Sequence, residues 1–244
     1  MHTIHAAMAA PLELFYFPLY AKGLGPALVA EFSGLAWKGP AETGWESSQW
    51  RAEGGLKASG ASPFGQLPLL KTGGPAGNIG QTVAIVNFIG KTAGPALEGT
   101  DEREYAVSQM LICEAEDLYS LLQKDNPTIY APLSTAEKPS RKGDLAAYGT
   151  LWATTIPGHL EKLEALCTAE GGFTKTGATA GELLLFAYLY QMSLCKPDVL
   201  AATPKVGAWY AALLRSERVQ KVVTGKSSFG EMKQYFITPA PAAE

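Results

Sequence analysis

The sequence predicts a small α/β domain followed by an all-helical one, and three observations carry that prediction. The first third of the 244-residue chain is punctuated by glycine and proline between short β-prone runs. Beyond Gly99 the composition shifts to long apolar segments at helical spacing. Within that second stretch, Thr179-Ala-Gly-Glu182 is a capping-box pattern set directly before the apolar run at residues 183–192.

The elements follow in order. Leu12-Glu-Leu-Phe-Tyr-Phe17 reads as a strand ended by Pro18. Pro26 suits the first turn of a helix, and residues 27–35 repeat apolar side chains at helical spacing. Residues 39–65, rich in glycine and bearing tryptophan, show little regular pattern. Residues 67–71 and the segment around Asn78 flank Thr72-Gly-Gly74 as a hairpin, and Gln81-Thr82 opens an apolar helix over 83–89. Strand, helix, irregular stretch, hairpin and helix is the order of a thioredoxin-like domain, placed at residues 11–92. Acidic residues in the first turn and apolar positions throughout predict a helix over 101–123. Prolines at 127, 132 and 139 make 124–142 a loop. A helix over 143–167 is expected to break or bend at Pro157, and two more follow at 204–214 and 216–223. The all-helical domain therefore covers residues 100–236, with 1–10 and 237–244 as flexible termini. There is no internal repeat.

Bulk composition narrows the function. With 18% charged residues and a formal charge of −3, the chain has no cationic excess to displace counterions, so nucleic acid is not an expected partner. No apolar run is long enough to span a bilayer, and the start lacks the basic region of a secretory leader. Three cysteines without CxxC spacing fit a reducing compartment. Cys113, Cys167 and Cys195 are expected as buried thiols. His2, His5 and His159 are too scattered for a metal site.

Four groups of residues carry chemistry: Tyr16-Phe-Pro18; Trp50-Arg-Ala-Glu-Gly-Gly-Leu-Lys57; Gly65-Gln-Leu-Pro68; and Gln81-Thr82. In this order and near this spacing, with the Thr179–Glu182 box, they resemble the cytosolic glutathione transferases of the tyrosine type. The likeness is nearest the pi class and extends to the mu and sigma classes, over residues 12–236. It implies a thioredoxin-like domain joined to an all-α domain, in a homodimeric cytoplasmic enzyme. Such an enzyme conjugates glutathione to small hydrophobic electrophiles, with glutathione as cosubstrate and no metal or redox cofactor. It implies Tyr16 as the catalytic residue, holding the glutathione sulfur as thiolate. Gln66 belongs to the glutathione-binding set. Leu67, before a cis Pro68, pairs with the cysteinyl backbone, while Gln81 and Thr82 at a helix start receive the γ-glutamyl carboxylate. Trp50 and Lys57 hold the glycine carboxylate, and Lys22 stands where the pi class has an arginine near the γ-glutamyl end.

The chemistry needs such groups. A free thiol has a pKa of roughly 8.5, so only a few per cent is thiolate near neutrality. A hydroxyl donating to sulfur lowers that pKa, and a shift of about two units matches one hydrogen bond to an anion, roughly 1.5–3 kcal/mol. Plainer readings stand beside these. Tyr16 taken alone is a core aromatic with a satisfied hydroxyl. Pro68 alone is a trans residue opening an edge strand, Thr82 an ordinary helix start, and Lys57 a solvated lysine.

Two departures from the resemblance are visible. One extra residue separates Trp50 from Lys57. The acid that the family sends from its fourth helix to the neighbouring subunit's glutathione aligns with Cys113, and Glu114 sits about 100° further round the helix. Tyr119, Tyr130 and Tyr235 are candidates for an electrophile pocket or for core. Two other functions remain open: a catalytically weak transferase-like scaffold, and a glutathione-dependent isomerase or peroxidase. A thioredoxin-like oxidoreductase is not expected, because no cysteine lies near the first strand–helix turn.

Overall fold

A computed structural model of the chain describes residues 10–126, 145–168, 171–236 and 238. Outside them lie nearly all of both expected flexible termini, most of the 124–142 loop, His2, His5 and Tyr130.

The first part is a four-stranded mixed sheet with helices packed on it. Strand β1 (Leu12–Phe15) pairs in parallel with the two-residue β2 (Trp37–Lys38) and antiparallel with β3 (Leu69–Lys71), which pairs antiparallel with β4 (Asn78–Gly80). The order is β2-β1-β3-β4. Leu12, Leu14, Leu69 and Leu70 are fully buried, so the two central strands anchor this half. Helix α1 (Leu24–Ser33) starts one turn earlier than its apolar run, and left-handed Gly34 ends it. A single turn, α2 (Pro40–Thr43), and a 3₁₀ turn over Ser47–Trp50 interrupt the irregular stretch. Helix α3 (Thr82–Ala93) follows β4, and a short α4 (Pro95–Glu98) leads into the second half.

That half is built on α5 (Glu102–Asp125) and α8 (Ala180–Cys195). Asp101 caps α5 by accepting the Glu104 amide at 2.8 Å. The expected capping box starts α8: Thr179 Oγ1 accepts the Glu182 amide at 3.4 Å, while Glu182 accepts the Thr179 amide at 3.0 Å. From Ala180 to Leu189 every residue of α8 is buried, the pattern of a helix surrounded on all sides. Between α5 and α8 come α6 (Leu145–Thr150), a π turn over Leu151–Thr155 and α7 (Ile156–Leu166). The interruption expected at Pro157 takes the form of the π turn immediately before it. Helix α6, the π turn and α7 run on without a gap, and the turn widens so that the Ile156 amide donates to the Leu151 carbonyl just ahead of Pro157, which has no N–H of its own. Helices α9 (Pro204–Arg215) and α10 (Glu217–Val223) complete the bundle. Among the described residues no helix is long and apolar enough to cross a membrane.

Candidate active site

Strand β1 delivers Tyr16 to the seam between the two halves. Its side chain is 8% exposed, and its hydroxyl oxygen accepts the Lys22 backbone N–H at 3.2 Å. Among the described residues the Tyr16 hydroxyl has no protein acceptor. Burial pushes this hydroxyl well above the ordinary tyrosine range; the Lys22 amide pulls the other way, and Tyr235 adds to the rise. The phenol is thus a neutral donor at ordinary pH. Gly23 makes room for it, since a Cβ at that position would lie 2.4 Å from Tyr16 Cδ1.

Lys22, Trp50, Lys57, Gln66, Leu67, Pro68, Gln81 and Thr82 all line one cleft of about 640 Å³, together with Phe17, Arg51, Glu116 and Tyr235. Tyr16 is not itself in that lining; it lies beside the cleft, between the lining residues Phe17 and Lys22. The sequence-expected set therefore converges, with its phenol set back from the open surface. Two clefts of about 680 and 830 Å³, one along α3 and α5 and one beside Trp209, contain none of the expected residues.

Each wall has a local cause. The Leu67–Pro68 peptide bond is cis. Ser62 Oγ donates to the Gln66 carbonyl at 2.5 Å and accepts the Gln66 amide at 3.1 Å, which fixes the approach to that bond. The Gln81 side-chain amide donates to Gln66 Oε1 at 3.2 Å, tying the hairpin to the mouth of α3. Gln81 precedes α3 with φ 73° and ψ 126°, a conformation that costs a non-glycine residue on the order of 1–3 kcal/mol. No side chain caps α3, and its first residues Thr82 and Val83 line the cleft, which places the positive end of the helix dipole there. Buried Thr82 directs its hydroxyl toward the Lys22 carbonyl at 3.5 Å.

The extra residue before Lys57 is absorbed in turns, because the Lys57 amide still reaches the Trp50 carbonyl at 3.2 Å. This coil requires Gly55, where a Cβ would meet the Gln49 carbonyl oxygen at 2.0 Å. Trp50 is 6% exposed and meets Phe17 edge-on, whereas Lys57 is exposed.

Lys22, expected near the γ-glutamyl end, is engaged within the protein. Its ammonium is bonded to Glu116 of α5 and lies 4.4 Å from the centre of the Tyr119 ring. Glu116 also accepts the Tyr188 hydroxyl at 2.8 Å. Among the described residues, the acid lining the cleft is thus Glu116, one turn beyond Cys113. Glu114 turns away to His159 Nδ1 at 2.6 Å. The expectation of three buried thiols holds for two. Cys113 is exposed on α5, whereas Cys167 and Cys195 are buried, and burial pushes Cys195 up to about 11. Of the tyrosines, Tyr119 is buried against Tyr188 and Phe236, while Tyr235 reaches the cleft. Sequence reasoning missed Arg51 and Glu116. Arg51 adjoins a residue already singled out, and Glu116 shares a helical face with Cys113 at i, i+3.

No protein-family model and no curated protein sequence matches the chain. Solved structures do. A sigma-class glutathione transferase of Fasciola hepatica superposes with a TM-score of 0.68 at 19% identity, covering 89% of this chain and 97% of that one. Prostaglandin synthase D of Nilaparvata lugens gives 0.65 at 18% identity, over 89% and 99% of the two chains. The glutathione S-transferase of Ascaris lumbricoides gives 0.63 at 17% identity, over 89% and 98%. At these identities the likeness is one of architecture, and it covers nearly the whole of each neighbour. The chain has the glutathione transferase fold, a thioredoxin-like sheet domain joined to a helical one.

Proposed function

We propose that this protein is a glutathione S-transferase that joins the glutathione sulfur to small hydrophobic electrophiles. One observation carries the reading: eight side chains from four separate segments meet in one cleft, beside a buried phenol with no acceptor among the described residues. The uncapped start of α3, entered through the strained Gln81, suits a carboxylate. The Leu67 backbone offers an extended edge to the cysteinyl unit. Trp50 and Lys57 supply an indole N–H and an ammonium for the second carboxylate. Lys22 contributes through its bond to Glu116 rather than as a lone charge.

In this reaction the thiol proton leaves to solvent, and the remaining sulfur lone pair forms the carbon–sulfur bond. The displaced electrons pass to the leaving group or into the acceptor's π system. Tyr16 stays neutral and donates its O–H to sulfur, so the thiolate is stabilised before attack. Phe17 and Tyr235 give the electrophile an apolar wall. A second copy of the chain is the proposed partner; Phe64, Tyr105 and Met110 remain about half or more exposed, apolar side chains that association would cover. The unpaired cysteines suit the cytoplasm.

The test compares retention on immobilised glutathione and conjugation of an aryl halide by wild type and Tyr16→Phe, with a hydroperoxide and an isomerisable substrate in the same panel. Retention with conjugation, and conjugation lost in the variant, is expected. Retention without turnover of any substrate would make the protein a glutathione-binding scaffold. Equal rates would remove Tyr16 from the chemistry.

A further inference from the structure

One peptide group joins the phenol to the core of the helical half. The Lys22 N–H that donates to Tyr16 and the Ala21 carbonyl belong to the same planar unit. That carbonyl accepts the side-chain amide of Gln191 on α8 at 3.0 Å. Gln191 is 1% exposed, and its NH₂ also donates to the Ala187 carbonyl at 3.2 Å. Both neighbours of the nitrogen are acceptors, so the orientation of the amide is chemically fixed even though its oxygen is buried without a partner. Ala21 itself has φ 21°, a conformation that an alanine does not hold unaided.

We infer that Gln191 is a positioning residue for Tyr16, acting through the Ala21–Lys22 peptide. By gripping the carbonyl, Gln191 stops the peptide plane from rotating and keeps the N–H aimed at the phenol oxygen. It also polarises the amide, since bonds in a chain strengthen one another. The phenol oxygen, held as an acceptor on one side, must present its proton on the other, toward the cleft. Backbone bonds close the turn around this peptide, the Gly23 and Leu24 amides each donating to the Tyr20 carbonyl at 2.8 Å, while Thr82 holds the Lys22 carbonyl and Glu116 its ammonium. Gln191 is the side chain that holds the Ala21 carbonyl, the end of the plane opposite the N–H that meets Tyr16. The catalytic consequence rests on the transferase reading above; the positional one does not.

The experiment separates the two. Protein labelled with carbon-13 at tyrosine Cζ gives a Tyr16 resonance identified by its loss in Tyr16→Phe. Gln191→Met keeps the volume and removes the donor. Gln191→Asn keeps the amide one methylene short, and serves if the methionine variant does not fold. Ser193→Ala, which removes a different polar contact of α8 to Tyr210, is the control. The Tyr16 resonance is expected to shift in both Gln191 variants and to stay in the control. With glutathione and an aryl halide, kcat is expected to fall about tenfold, the size of one lost hydrogen bond, with KM for glutathione within about twofold. A folded Gln191 variant with an unmoved resonance overturns the inference. A shifted resonance in a protein that never binds glutathione upholds the positioning and overturns the proposed function instead.

Discussion

Gly23→Ala offers a test of the site in which a single methyl group moves the phenol. Gly23 has φ −88° and ψ −31°, ordinary helical backbone that alanine adopts freely, so the substitution introduces no backbone strain. The added Cβ would lie 2.4 Å from Tyr16 Cδ1, 3.0 Å from Cγ and 3.1 Å from Cε1. Comfortable carbon–carbon contact begins near 3.5 Å, so the ring must retreat by about 1 Å. A misplacement of that size costs a reaction up to about 100-fold. The expected result is a fall in kcat approaching that of Tyr16→Phe, with the KM for glutathione little changed, because the cleft walls are untouched. The assay is steady-state conjugation with both variants side by side, with thermal unfolding to show that Gly23→Ala remains folded. Activity within twofold of wild type would refute the argument, since the ring would then either tolerate the contact or have no part in the rate.

Glu104, 5% exposed, accepts bonds from Thr100, Thr176 and the Lys175 amide, and Glu104→Ala should destabilise the protein by roughly 2–4 kcal/mol in denaturant melts. Hydrogen bonds from Thr100, then Thr176, hold its carboxyl down at about 2, against 4.5 for the free group. Its contribution is therefore complete above about pH 4.5 and is lost as the pH falls toward 2, so acid unfolding of wild type and Glu104→Gln should converge in that window. Lys57→Ala should raise the KM for glutathione several-fold while leaving kcat, and the difference should shrink at high salt; an unchanged KM would release Lys57 from the site. Native protein should take up maleimide at Cys113 alone among the described cysteines, with Cys167 and Cys195 reacting only after unfolding, as mass spectrometry of the adducts would show.

Local patterns were readable in the sequence, and distant ones were not. The capping box at Thr179, the acidic first turn of α5 and the apolar start of β1 each satisfy a short-range rule, and each appears where that rule puts it. Strand β2 has two residues and α2 and α4 have four each, too few to repeat any period. The π turn depends on how α6 and α7 accommodate Pro157, which spacing does not express. At the site, motif order foretold which side chains share the cleft, but not that Tyr16 would be set back or that Lys22 would pair with Glu116. The pairing of Lys22 comes from Glu116, 94 positions away and itself held by Tyr188 of α8, and the carbonyl before Lys22 is held by Gln191 of the same helix, contacts that exist only through the packing of α5 and α8.

The Ala21–Lys22 peptide has a bearing on how this architecture can be recombined. Its two ends are read by different parts of the chain, the N–H by a strand-end tyrosine and the carbonyl by a glutamine of α8 in the helical half. A chimera that grafts the first half of the molecule onto a foreign helical bundle would carry every group expected to touch the tripeptide's carboxylates. It would still lack the brace on Tyr16, the proposed donor to the sulfur. In such a hybrid, affinity and turnover would be inherited from different parents.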